Sequence, residues 1–193
     1  MLSSPALTMD PDTIRLLRLA VSRSRRTRGV QFTTAFARSA TGESPMLAKL
    51  LRGGRGGAVR LKLYLCITLI AASTPYDMKR PVPNETWARM IGLPDPFTKG
   101  ARRVADALTW LERQKLLKLD RKPGRPPLIQ LLSPTGDGTD YTRPASNYIS
   151  IPLGLWEQGW LVHLSASAVA LLDGMTRLGP RSQVVVGCHQ AQA

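Results

Sequence analysis

Between residues 59 and 133 the hydrophobic and polar positions fall into a short series of distinct patterns. Residues 59–73 (VRLKLYLCITLIAAS) are apolar on nearly every side, which predicts a helix buried all round. The breaker cluster STPYDMKRPVP ends it. A second, short helix is expected from Asn84, a good N-cap, with Trp87, Met90 and Ile91 on one face and Gly92 as its stop. After the kinked link GLPDP, a third helix begins at Asp95, Pro96 or Thr98 and runs to about Gln114. In it Ala101, Val104, Leu108 and Leu111 recur every three or four residues. The runs LLKLD and LIQLL then flank RKPGRPP, too rich in proline for a helix, and read as a two-stranded hairpin.

The flanks are less regular. Residues 11–26 set Ile14, Leu17, Leu19 and Val21 among arginines behind an Asp-Pro start, a short basic helix. Residues 27–45 show no period and read as a linker or disordered arm. RGGRGG at 52–57 is either a flexible hinge or, through its free amides and two arginines, a phosphate holder. Residues 134–146 form a polar linker. From 147 onward a strand, the tryptophan-bearing turn GLWEQGW and a helix capped by Ser165 or Ser167 are expected, with a last apolar run at 184–186. The expected division is thus a basic N-terminal arm with a short helix (1–57), a folded domain (58–133), a linker (134–146) and a C-terminal block (147–193). The fold class is mainly α with small β-hairpins, an α+β chain.

Charge narrows the partner. The 193 residues carry a net +14, and the excess lies in the first two-thirds: 11 Lys and Arg against 3 acids in 1–60, 13 against 6 in 61–133, and 3 against 4 in 134–193. Such a chain favours a polyanion, above all nucleic acid. The longest apolar stretch, 63–72, is about half of the ~20 residues that a membrane span requires. Residues 12–40, Arg- and Ser-rich and poor in acids, could be an organellar transit peptide or a basic arm beside a DNA-binding domain, the second being the expectation here. Cys66, inside an apolar run, reads as a small hydrophobe, and Cys188 is far from it, which suits a reducing compartment. No nucleotide-binding loop, nucleophile elbow or zinc spacing is present, and His163 and His189 offer little for catalysis. The spacing of Asp137 and Asp140 in GDGTD falls short of a calcium loop and reads as a turn. No catalytic residue, metal site or cofactor is expected.

The stretch TWARMIGLPDPFTKGARRVADALTWLERQKLLKLDRKPGRPP, preceded by its apolar helix, resembles the winged helix-turn-helix transcription factors and plasmid replication initiators. That resemblance implies that the third helix enters the major groove of DNA and that the hairpin, or wing, touches the backbone or the minor groove. Thr98, Lys99, Arg102, Arg103 and Arg113 would then face DNA from the helix. RKPGRPP is also similar to an AT-hook core, implying that Arg125 enters a narrow minor groove while Arg121 and Lys122 meet phosphates, although Pro126 and Pro127 stand where a further basic residue is usual. Trp87 and Trp110 are expected to be packing residues. The block from 147 resembles the opening of an incomplete second winged helix unit, or else serves packing or dimerisation through Leu153, Leu155, Trp156, Trp160, Leu161, Val169, Leu171 and Leu172. The function expected is sequence-specific binding of double-stranded DNA by a cytoplasmic, nucleoid-associated bacterial regulator or replication protein. The alternative is an RNA-binding or ribosome-associated basic protein.

Overall fold

A computed structural model of the chain describes residues 10–38, 42–52, 55–165 and 167–168. Its organising element is α4 (Arg55–Ile70), in which Leu61, Leu63, Tyr64, Leu65, Cys66, Ile67 and Leu69 are all fully buried. A helix so apolar must be covered on every side, since each buried aliphatic side chain contributes about 1.5–3 kcal/mol relative to exposure. The covering comes from both ends of the chain. α1 (Pro11–Ser24) and α3 (Met46–Leu51) lie against it from the N-terminal side, and α6 (Ala101–Arg113) from the C-terminal side.

α1 starts where Asp10 accepts a hydrogen bond from Asp12 N at 3.2 Å and Pro11 pre-sets the first turn. It buries Thr13, Leu17, Ala20 and Val21, while Leu19 stays 41% exposed. The segment expected to be linker or disordered arm is instead structured at β1 (Val30–Thr33) and α2 (Thr34–Ala37). Its two phenylalanines explain why. Phe32 and Phe36 stack at 5.0 Å and close on Tyr64 of α4 at 5.9 and 5.8 Å, so three rings leave water together.

The hinge expected at 52–57 also gives way, because Arg55, Gly56 and Gly57 belong to α4. A Cβ on Gly57 would sit 2.8 Å from the Leu51 carbonyl carbon, so the glycine allows α3 and α4 to touch. Residues 53 and 54 lie outside the described residues.

α5 (Asn84–Met90) has Pro83 rather than Asn84 as its cap, with Thr86 N and Trp87 N bonding to Pro83 O at 3.1 and 3.2 Å. It ends with Gly92 N on Arg89 O (3.1 Å) and Leu93 N on Ala88 O (2.8 Å), the paired bonds of a Schellman cap. α6 ends the same way, Lys115 taking the left-handed position at φ 57. β2 (Leu117–Asp120) and β3 (Leu128–Leu131) form an antiparallel hairpin in the register Leu117↔Leu131 and Leu119↔Ile129. Residues 76–78 join its other edge through Met78 N to Ile129 O (2.7 Å) and Leu131 N to Tyr76 O (2.9 Å), around an antiparallel bridge between Asp77 and Gln130.

The polar linker is pinned rather than free: Tyr141 is buried, meets Tyr76 edge-on at 4.8 Å, and donates from its hydroxyl to Gln31 O at 3.2 Å. Beyond it, β4 (Tyr148–Ile151) pairs antiparallel with β1 in the register Val30↔Ile151 and Phe32↔Ile149. Then come α7 (Gly154–Glu157) and α8 (Trp160–His163). Leu155, Trp156 and Leu161 are buried in the chain's own core, and Trp160 is left 44% exposed. Within the described residues, 148–164 therefore add to the same core, β4 by pairing with β1 of the N-terminal arm. Ala168 N bonds to Ser165 Oγ at 3.1 Å, as a cap would. The expected helix residues Val169, Leu171 and Leu172, the run 184–186, and Cys188 and His189 lie outside the described residues. The architecture is mixed α+β, helical with two small antiparallel sheets. No helix among the described residues is long and apolar enough to cross a membrane.

Candidate nucleic-acid interface

α6 has one apolar and one polar side. Val104, Ala107, Leu108 and Leu111 are buried against α4 and α5, which turns Arg102, Asp106, Thr109 and Arg113 toward solvent. The single π-helical turn Pro96–Gly100 leads directly into it and carries Thr98 and Lys99, both exposed. Lys99, Arg102, Asp106 and Arg113 share one stripe, three cations around one carboxylate. Arg103 is half-buried beside that stripe and makes an interaction of its own. Trp87 is fully buried, as expected of a packing residue. Trp110 is only half-buried and is roofed by Arg60 of α4, whose guanidinium carbon lies 4.4 Å from the ring centroid.

The hairpin carries the second cationic group. Its tip turns on Lys122-Pro123-Gly124-Arg125, closed by Arg125 N to Lys122 O at 3.2 Å with Gly124 at φ +69. Proline followed by a positive-φ glycine is the requirement of a type II turn. A side chain on Gly124 would meet nothing within 4 Å, so the tip stands in open space and holds Lys122 and Arg125 outward.

Arg121 behaves differently. Its guanidinium grips Glu112 of α6 with both terminal nitrogens, at 2.9 and 2.6 Å, and Glu112 Oε1 also accepts from Leu119 N at 3.3 Å. That clamp fixes the hairpin to the helix, and the Glu112 carboxylate raises the Arg121 pKa above its ordinary value. Arg121, expected to meet phosphate, is held by Glu112 with its side chain 53% exposed. No side-chain hydrogen bond or ion pair within the described residues engages Lys99, Arg102, Arg113, Lys122 or Arg125.

Two residues at this surface escaped the sequence reading. Glu112 could have been suspected from its position five residues before the hairpin strand. Phe97 could not, because its spacing from Ala101 and Val104 assigns it to the buried face, yet it is 72% exposed. Burial pushes the Cys66 thiol up to about 12, which removes it as a nucleophile near neutral pH. Asp137 spends its carboxylate on Thr139 N (2.8 Å), Thr139 Oγ1 (2.7 Å) and Thr135 Oγ1 (2.8 Å), within its own turn. Among the described residues no three acidic, histidine or cysteine side chains gather as a metal site would require. No protein-family model matches the chain, and neither a curated protein nor a solved structure matches it.

Proposed function

We propose that this chain binds double-stranded DNA in a sequence-specific manner, with residues 58–133 acting as a winged helix. In that assignment α4 is the first helix, 76–78 the short first strand on the β3 edge, α5 and α6 the helix-turn-helix pair, and β2 and β3 the wing. α6 occupies the major groove and the Lys122–Arg125 turn lies on the backbone or in the minor groove. The observation that carries this reading is the set of five outward cations, Lys99, Arg102, Arg113, Lys122 and Arg125, on a helix and hairpin clamped together by Glu112 and Arg121. Cations held on rigid elements and left without partners are suited to an external polyanion, and a helix one groove wide is the shape that reads base edges. Thr98 and Asp106 add an acceptor or donor and a carboxylate suited to cytosine amino groups. Both roles considered for the chain, transcriptional regulator and plasmid replication protein, use this same contact.

The test is binding to random-sequence duplex DNA and to duplex RNA across a salt series, comparing wild type with Lys99→Ala/Arg102→Ala and with Arg125→Ala. Five phosphate contacts give a slope of log affinity against log salt of about −4.5 on duplex DNA, and each lost cation reduces it by about 1. Equal binding of RNA, untouched by either variant, would establish the RNA-binding alternative and remove the groove assignment.

A further inference from the structure

Phe97 lies where an uninterrupted helix would bury it. With Ala101, Val104, Leu108 and Leu111 it keeps the three- and four-residue spacing of the inner face of α6. The chain does not allow this. Gly100 N bonds to Asp95 O, five residues back, at 2.8 Å, so the first turn is one residue wider than an α-turn. Gly100 itself is buried, and a Cβ on it would lie 3.2 Å from the Ala88 Cβ of α5. The inner side of this turn is thus filled by the approach of α5, and no room remains there for a ring. Asp95 at φ 58 and Pro96 fix the entry to the turn. Phe97 is rotated to the outside and becomes the most exposed of the large hydrophobic side chains described, at 72% against 44% for Trp160.

Its neighbours indicate what would cover it. In the same stretch Pro94, Asp95, Thr98 and Lys99 are exposed, with Arg102 at the start of α6, so the ring is the one large apolar side chain on a surface that also carries a hydroxyl, a carboxylate and two cations. The core of a protein interface would need further apolar residues and fewer charges. The major groove offers the complement: one apolar knob, the thymine 5-methyl group, set among base acceptors and flanking phosphates.

We infer that Phe97 is a base-reading residue that packs on a thymine methyl group in the major groove and gives the chain a thymine preference at one position of its site. This contact rests on the proposed docking of α6 and makes it specific.

The experiment selects sites from a randomised duplex library with the full chain and with Phe97→Ala. Affinities are then measured for the selected duplex and for a copy in which uracil replaces each thymine singly, which removes only the methyl group. Wild type should lose about fourfold at one position, the worth of one buried methyl-sized group. Phe97→Ala should be insensitive to the same replacement, and Phe97→Leu should keep part of the preference. Wild-type thermal unfolding of Phe97→Ala would confirm that the fold is intact. Wild-type binding to no duplex would overturn the DNA reading and this contact with it. Selective duplex binding by both proteins, with uracil tolerated everywhere or with equal sensitivity in both, would overturn the Phe97 contact alone. A change confined to oligomeric state in Phe97→Ala would assign the ring to a protein interface and overturn it as well.

Discussion

Two arginine-rich regions of the molecule look alike in sequence and are engaged differently by the fold. The segment 15–28 holds six arginines and no acid, a denser cluster than α6 and the hairpin offer. Two of its members are held by the fold, Arg26 half-buried and Arg18 exposed, while Arg15, Arg23, Arg25 and Arg28 stay exposed. Arg26 donates from Nε to Leu69 O at 3.1 Å and from a terminal nitrogen to Thr68 O at 2.8 Å, completing the last turn of α4 where the backbone leaves carbonyls unpaired. Burial lowers its pKa, with the Tyr141 and Tyr76 hydroxyls opposing that shift and Arg143 adding to it. Arg18 donates to Glu157 O at 3.0 Å and ties α1 to α7. In α6 and the hairpin, Arg121 pairs with Glu112 and Arg103 makes an interaction of its own, while Lys99, Arg102, Arg113, Lys122 and Arg125 stay exposed on the joined elements. Each region therefore divides into cations that carbonyls or carboxylates of the fold hold and cations left exposed.

That division can be broken by experiment. Arg26→Ala should give the largest effect, about 2 kcal/mol of stability lost in denaturant unfolding, because two helix-end carbonyls are left unsatisfied. Its affinity for duplex DNA, measured on the folded protein, should stay at the wild-type level. A loss of affinity matching that of Arg125→Ala, with stability unchanged, would merge the two regions into one binding surface. Glu112→Ala is the intermediate case. It releases Arg121 and removes a negative charge, so duplex affinity should rise about threefold at low salt and steepen the salt slope by about 1. The lost exposed pair should cost about 0.5 kcal/mol of stability.

The smallest effect concerns an acid spent on its own loop. Hydrogen bonds from Thr139 N and then Thr139 Oγ1 hold the Asp137 carboxyl at about 2. The folded value lies below the unfolded one of roughly 3.9, so the stabilisation is complete above about pH 4 and disappears as pH falls toward about 2. Melting temperatures of wild type and Asp137→Asn should converge over that interval, whereas a gap that stays constant with pH would show that charge is not involved.

The parts of the fold legible in sequence were those with a strong period. The buried α4, the one-sided α6 with Val104, Leu108 and Leu111, and the proline-glycine hairpin all lie where their patterns put them. Local pattern failed where partners are remote in sequence. Residues 30–33 have no legible period because β1 is defined by pairing with β4, more than a hundred residues away, and by rings that meet Tyr64. Tyr141 reads as linker until Tyr76 and Gln31 are seen beside it. At the candidate site, exposed cations on a helix with a clear apolar face were legible. The Arg121 clamp and the outward turn of Phe97 were not, since one depends on a contact between elements and the other on a widened turn imposed by α5.

The β1–β4 pairing also sets an order in time. β1 precedes Ile151 by 121 residues along the register Val30↔Ile151. At ribosomal rates of roughly 5–20 residues per second, β1 waits on the order of 6–24 s for its partner strand. During that interval its edge and the Phe32 and Phe36 rings have α3 and α4 but no partner strand to cover them. Helix and hairpin between 58 and 133 are complete well before the sheet closes. A nascent chain of which only the first 140 or so residues have emerged would therefore present a finished helix-and-hairpin surface on a core still open on its other side.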